Sequence, residues 1–267
     1  MRGDATEIGS DAEISLAVAA DPQAIGFTSF VHRENAKSLA IEGVCGLQIP
    51  ASEFAIKTEE YPLTRRLYAY SADREDPHHV KGFLDFAKSN TAQKAVQQAG
   101  FVDQSISMAS VDTQGLRFAS AIVANRTASA LPELRRMVTD MLSSDRLSTT
   151  FRFRTGSSRL DTRGQADIGR LAAELMNPSH AGKIVQLIGF TDSIGDPNLN
   201  KQLSENRAIQ IRDALLSNNP ELNDRVSLTV AGYGEVSPLG CNETNQGRLI
   251  NRRVEVWIKE DVERVGN

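Results

Sequence analysis

The stretch from Gly189 to Ala208, GFTDSIGDPNLNKQLSENRA, decides the reading of this chain, because it sets a carboxylate and a guanidinium at a fixed separation across a strand, a turn and a helix. Before it, Lys183 to Phe190 (KIVQLIGF) is a short apolar run between Gly182 and the turn residues Thr191 to Pro197, the pattern of a largely buried strand. The end of that strand delivers Asp192 to a loop. From Asn198 onward Ser204, Ala208, Ile211 and Leu215 recur at helical spacing, and the run stops at Pro220. Arg207 borders the apolar face of this helix, so its guanidinium is expected to reach out of the groove while its stem packs along the flank. A ligand with both an ammonium and a carboxylate, such as the free end of a diamino acid, would find a partner for each charge.

Further along, Gly247 to Ile258 reads GRLINRRVEVWI, and Asn251 to Lys259 alternates Val254, Val256 and Ile258 against Glu255, Trp257 and Lys259. Period-two alternation predicts a strand with one face buried. Taken singly, these residues have plainer readings. Asp192 could end a strand in an Asx-turn, or form a weak cation loop with Asp196, although the oxygen ligands of a calcium loop are missing. Arg207 alone would be a solvated helix residue, and Arg252-Arg253 a surface basic pair. Gly232-Tyr233-Gly234-Glu235 lacks the third glycine or the Lys-Ser/Thr of a phosphate loop and reads as a turn.

Together and in order, these residues resemble the OmpA-like peptidoglycan-binding domain. Thr191, Asp192, Gly195, Asn200, Leu203, Ser204, Arg207 and Ala208 match its first motif. Gly232, Gly234, Asn242, Gly247, Arg248, Asn251, Arg252, Arg253, Val254 and Glu255 match its second, and Phe153, Ser158 and Leu160 its opening strand. The resemblance spans roughly Thr149 to Lys259. It implies an α/β (α+β) fold, a βαβαββ mixed sheet with helices on one face, over residues 148–262. It also implies noncovalent binding of the peptidoglycan stem peptide through meso-diaminopimelate, clamped by Asp192 and Arg207. Asn200, Thr191, Phe153, Leu203 and Arg252 would line the pocket, in the periplasm against the cell wall or outer membrane.

The first hundred residues resemble part of a phosphate-type periplasmic solute-binding protein. Asp21 to Phe27, Asn35 to Ile41, Tyr61 to Tyr70 and Val80 to Val102 read as a strand, a loop, a strand opened by Pro62, and two helices, the second capped by Asn90 and closed at Gly100. This gives a partial α/β lobe over residues 1–115, expected to be a fragment or a spacer. The anion-holding Gly-Ser-Gly-Thr loop of that family is not found, so a phosphate site would need sequence upstream of Met1. A wall-tethered anion receptor is the alternative function. Residues 116–147 read as a helical connector, with Leu131 to Leu142 periodic and Pro132 in its first turn.

At 267 residues and 40% hydrophobic content the chain can bury two ordinary cores, and a formal net charge of -4 argues against a general nucleic-acid binder. No apolar run reaches the roughly 18 residues of a membrane-spanning helix. MRGDATEIGSDAEIS has neither a signal's apolar core nor a lipid-attachment cysteine, so a wall-facing protein would carry its signal upstream or have lost it. Cys45 and Cys241 fall in different segments. An interdomain disulfide would suit an oxidising periplasm, but the reading adopted is two separate buried thiols. His32, His78, His79 and His180 are scattered and no HExxH or GxSxG motif is present, so neither catalysis, metal nor cofactor is expected. A half-lobe would leave apolar surface uncovered, from which a homodimer is expected.

Overall fold

The computed structural model describes residues 5–71, 78–125 and 130–261. Its centre is a five-stranded mixed sheet in the order β3-β4-β7-β5-β6, made by Met108–Ala109 (β3), Asp145–Arg152 (β4), Ile184–Phe190 (β5), Ser227–Gly232 (β6) and Arg253–Lys259 (β7). The β5 and β6 strands run parallel, joined by a crossover through the long helix Pro197–Asn218 (α8), and the other pairings are antiparallel. Asp196 caps α8, its Oδ1 accepting from Asn198 N and Leu199 N at 2.9 and 3.1 Å. Pro197, read from sequence as a turn residue, is the first helical residue, where its missing N–H costs nothing.

Two glycines let α8 lie directly on the sheet. A Cβ on Gly189 of β5 would stand 1.9 Å from Ser204 O, and one on Gly232 of β6 would stand 2.4 Å from Glu205 N. The α8 face so applied carries Ser204, Ala208, Ile211 and Leu215, all buried as their spacing predicts. With α7 (Thr162–Leu175), capped by Asp161, it closes the first core: Ile168, Leu171 and Leu175 of α7 and Ile211 and Leu215 of α8 meet Phe151, Val185, Leu187, Val254 and Val256 of the sheet.

The helices that follow β4 thus cover one face, but the second face is not open to solvent. Helices α5 (Gly115–Ala124) and α6 (Leu131–Met141) lie there, and Phe118, Leu134, Met137 and Met141 pack with Ile188, Phe190, Tyr233 and Trp257. The expectation that Asn251–Lys259 buries only one face is corrected accordingly: Glu255 and Trp257 are both fully buried. The strand alternates between two cores, so polarity alternation here separates an apolar core from one built partly on paired charge.

The amino-terminal segment does not form the expected α/β lobe. Helices α3 (His78–Ala87) and α4 (Asn90–Gln98) occur as predicted, and Gly100 closes α4 at φ +80°. The cap is Ser89, whose side chain accepts from Ala92 N at 3.2 Å, one residue before Asn90. Asp21 to Phe27 and Tyr61 to Tyr70 are turn and coil rather than strands. A strand needs a neighbour to pair its N–H and C=O groups, and neither stretch has one. Before β3, the described pairing in this segment is the short hairpin of Ile41–Glu42 (β1) and Gln48–Ile49 (β2), after α1 (Asp11–Ala20) and before α2 (Glu53–Lys57).

The segment is fastened to the sheet by polar and covalent contacts. Arg152 Nη2 donates to Thr58 O at 2.6 Å and Arg146 pairs with Glu60. Cys45 and Cys241 form a disulfide, correcting the reading as separate thiols. Their 196-residue separation hides a pairing that requires the hairpin to fold back onto the loop after β6.

Candidate functional site

At the end of β5 the backbone continues to Thr191, whose N–H donates to Gly234 O at 2.8 Å, and then turns at Asp192. Asp192 Oδ1 accepts from Ile194 N at 3.1 Å, an Asx-turn, as the plain reading of this residue has it. Its other oxygen, Oδ2, accepts from Arg252 Nη1 at 2.5 Å, and Arg252 Nε donates to Phe153 O at 3.1 Å. Asp192 is 6% exposed. The carboxylate is therefore already shared between a turn and a guanidinium, with Arg252 delivered by the start of β7.

Arg207 does not reach out of a groove, as its place beside Ala208 suggested. It is fully buried. Its Nε donates to Ser157 O at 3.0 Å and its Nη2 to Arg154 O at 3.3 Å, and the guanidinium carbon lies 5.1 Å from the centre of the Phe153 ring. Among the described residues the third nitrogen, Nη1, has no hydrogen-bond partner, and neither does the buried Thr191 Oγ1. Burial, and next the charge of Arg252, pull the Arg207 pKa down to about 10, against the opposing effect of Asp192. It remains a cation at neutral pH. Arg207, Arg252 and Asp192 together carry one surplus positive charge.

Asn200 holds the backbone beside Asp192 in place. Its Nδ2 lies within reach of Asp192 O, Ile194 O and Glu235 Oε2 at 3.4, 3.2 and 2.9 Å, tying the loop to the start of α8 and to the turn after β6. Leu203 is half-buried on α8. Glu235, read from sequence only as part of a glycine turn, is thus a support of the site.

A second support comes from Asn251, which ends α10 (Asn245–Asn251) and is fully buried. Its Oδ1 accepts from Leu239 N and Gly240 N at 2.8 and 2.9 Å, and its Nδ2 donates to Asn242 Oδ1 at 2.9 Å. Asn242 Oδ1 in turn accepts from Ser193 N at 3.2 Å, next to Asp192. The two quoted motifs thus meet through amide side chains, and the Cys45–Cys241 disulfide holds the loop adjoining Asn242.

The OmpA family profile matches residues 152–252. The chain is 34% identical over 114 residues to the putative lipoprotein YfiB of Escherichia coli, covering 42% of this chain and 68% of that protein. It is also 34% identical over 116 residues to outer membrane porin F of Pseudomonas aeruginosa, covering 43% of this chain and 32% of the relative, so it spans about a third of that protein's length. Among solved structures, the peptidoglycan-associated lipoprotein from Burkholderia pseudomallei aligns over 41% of this chain and 89% of its own at 22% identity, with a TM-score of 0.34.

Proposed function

This chain belongs to the OmpA family, and from that premise we propose that it binds peptidoglycan noncovalently, gripping the free ammonium and carboxylate of meso-diaminopimelate in the stem peptide. The observation that carries this reading is the buried Arg207 guanidinium with Nη1 unpartnered, alongside the unpartnered Thr191 Oγ1. A buried donor without an acceptor costs about 1–3 kcal/mol, and a ligand carboxylate would relieve it at both atoms. The ligand ammonium would go to Asp192, taking a share of the carboxylate now given to Arg252.

A charge-assisted hydrogen bond contributes about 1.5–3 kcal/mol. Two such contacts and a few neutral ones correspond to roughly micromolar to millimolar affinity for one stem peptide. A polymeric wall offers many adjacent sites, which turns weak contacts into lasting retention by rebinding. The binding unit in this reading is residues 148–261, and the protein would act in the periplasm at the wall or outer membrane. No reaction is part of the proposal.

Co-sedimentation with purified sacculi tests it. Retention should be released by meso-diaminopimelate and not by L-lysine, which has the same chain but lacks one carboxylate. Retention unaffected by meso-diaminopimelate, or released equally by lysine, would defeat the assignment.

A further inference from the structure

Behind the second sheet face, away from Asp192 and Arg207, a cavity of about 210 Å³ opens between the β2–α2 segment, α5 and the turn at Pro238-Leu239. Much of its wall is apolar, with Leu47, Ile49, Phe54 and Leu239. Two guanidiniums also line it, those of Arg117 and Arg146, with side chains only 7% and 1% exposed. The Nε of each is buried and has no hydrogen-bond partner among the described residues.

Among the described residues the surrounding charges do not balance. Arg117 pairs with Glu255 at 2.7 Å, Arg146 with Glu60 and, at 3.3 Å, with Glu255, and Arg253 with Glu255 at 2.6 Å. Arg152 is held by the carbonyls of Thr58, Glu59 and Ile250. Glu59 is engaged elsewhere, by Arg66 and Arg163. Four guanidiniums, those of Arg117, Arg146, Arg152 and Arg253, thus face the two carboxylates of Glu60 and Glu255. Burial accordingly holds the Arg117 pKa below the usual arginine value even beside Glu255.

A buried cation surplus beside a cavity is relieved by an anion inside it. The volume corresponds to about seven water molecules, which limits the occupant to a small molecule. Glu60, also on the wall, disfavours a second negative charge. We propose that this cavity is a second ligand site, taking a small organic monocarboxylate whose carboxylate lies beside the guanidiniums of Arg117 and Arg146 while its short aliphatic part lies against Leu47, Ile49 and Phe54.

Trp257 provides the readout. It is the one tryptophan in the chain, and its Nε1 donates to Glu255 Oε2 at 2.9 Å. The experiment titrates the isotope-labelled protein with isovalerate while following the Trp257 indole N–H resonance. Isovaleramide serves as the neutral isostere and sulfate as the bare dianion. Two variants accompany it: Arg117→Lys, and Ser120→Phe, which fills the cavity and leaves every charge in place. The proposal predicts a saturable shift with isovalerate, at least tenfold weaker with isovaleramide, with sulfate and in Ser120→Phe, with meso-diaminopimelate binding unchanged. Arg117→Lys should weaken it similarly if that variant folds, and Ser120→Phe decides if it does not. No saturable shift, an equal response to isovaleramide or sulfate, or an unchanged response in Ser120→Phe would overturn it.

Discussion

Glu255 shows what a single residue contributes to this molecule. It is fully buried in β7 and its carboxylate meets Arg117, Arg146 and Arg253, with Trp257 donating a further hydrogen bond. Removing one partner of a buried ion pair leaves the others uncompensated, at a cost of about 3–5 kcal/mol. Glu255→Gln is therefore expected to lower the unfolding free energy in urea by about that amount. A loss below about 1 kcal/mol would show that the arginines find other acceptors. The same group sets a pH dependence. Burial alone would raise the pKa of Glu255, but Arg117, Arg146 and Arg253 outweigh it and hold it well below the ordinary value of 4.5, and Arg146 does likewise for Glu60. A depressed carboxylate pKa means stability that is present in full above the unfolded value and is lost as pH falls through the folded one. Denaturation midpoints should thus be flat from neutral pH to about 5 and decline at lower pH, and Glu255→Gln should flatten the decline. Asp192 and Arg207 were legible in the sequence as a motif. The Asp192–Arg252 pair and the burial of Arg207 were not, because both depend on where β7 and the Arg154–Ser157 carbonyls come to lie.

Among elements, the contact of α8 with the β5–β6 pair is the one most tightly constrained. Gly189 and Gly232 let the helix backbone touch the strands, and no side chain fits at Gly189 without moving Ser204. Overpacking of this kind costs about 1–3 kcal/mol. Gly189→Ala is expected to fall in that range by chemical denaturation and to weaken diaminopimelate binding, since Arg207 sits three residues beyond Ser204 on the displaced helix. Wild-type stability in this variant would mean that the helix is free to shift. These elements were readable because their signals are local: an apolar run, a turn, a helical period and a strand period. The strands assigned to Asp21–Phe27 and Tyr61–Tyr70 failed because an apolar run does not become a strand without a partner edge. The cover of the second face by α5 and α6 was missed because Glu255 and Trp257 alternate with valines as solvent-facing residues would.

At the scale of the whole molecule, the amino-terminal segment is joined to the site region by the Cys45–Cys241 disulfide, which closes a loop of 196 residues. Cross-links over long loops stabilise typically by about 2–4 kcal/mol, chiefly by restricting the unfolded chain. Reduction, or Cys45→Ser with Cys241→Ser, should therefore lower the denaturation midpoint. It should also raise hydrogen exchange at Ser193, whose N–H is held by Asn242 beside the cystine. Unchanged exchange there would separate the disulfide from the site. A long-range covalent link of this kind leaves no local trace, and two cysteines without metal spacing read equally well as free thiols.

The most direct test is a calorimetric titration of the intact chain with meso-diaminopimelate, repeated on Asp192→Ala and Arg207→Ala with their unfolding midpoints recorded. The account predicts saturable binding in the micromolar to millimolar range for the intact chain, weakened at least tenfold in both variants while they remain folded. Absence of binding by the intact chain, or equal affinity in both variants, would contradict it.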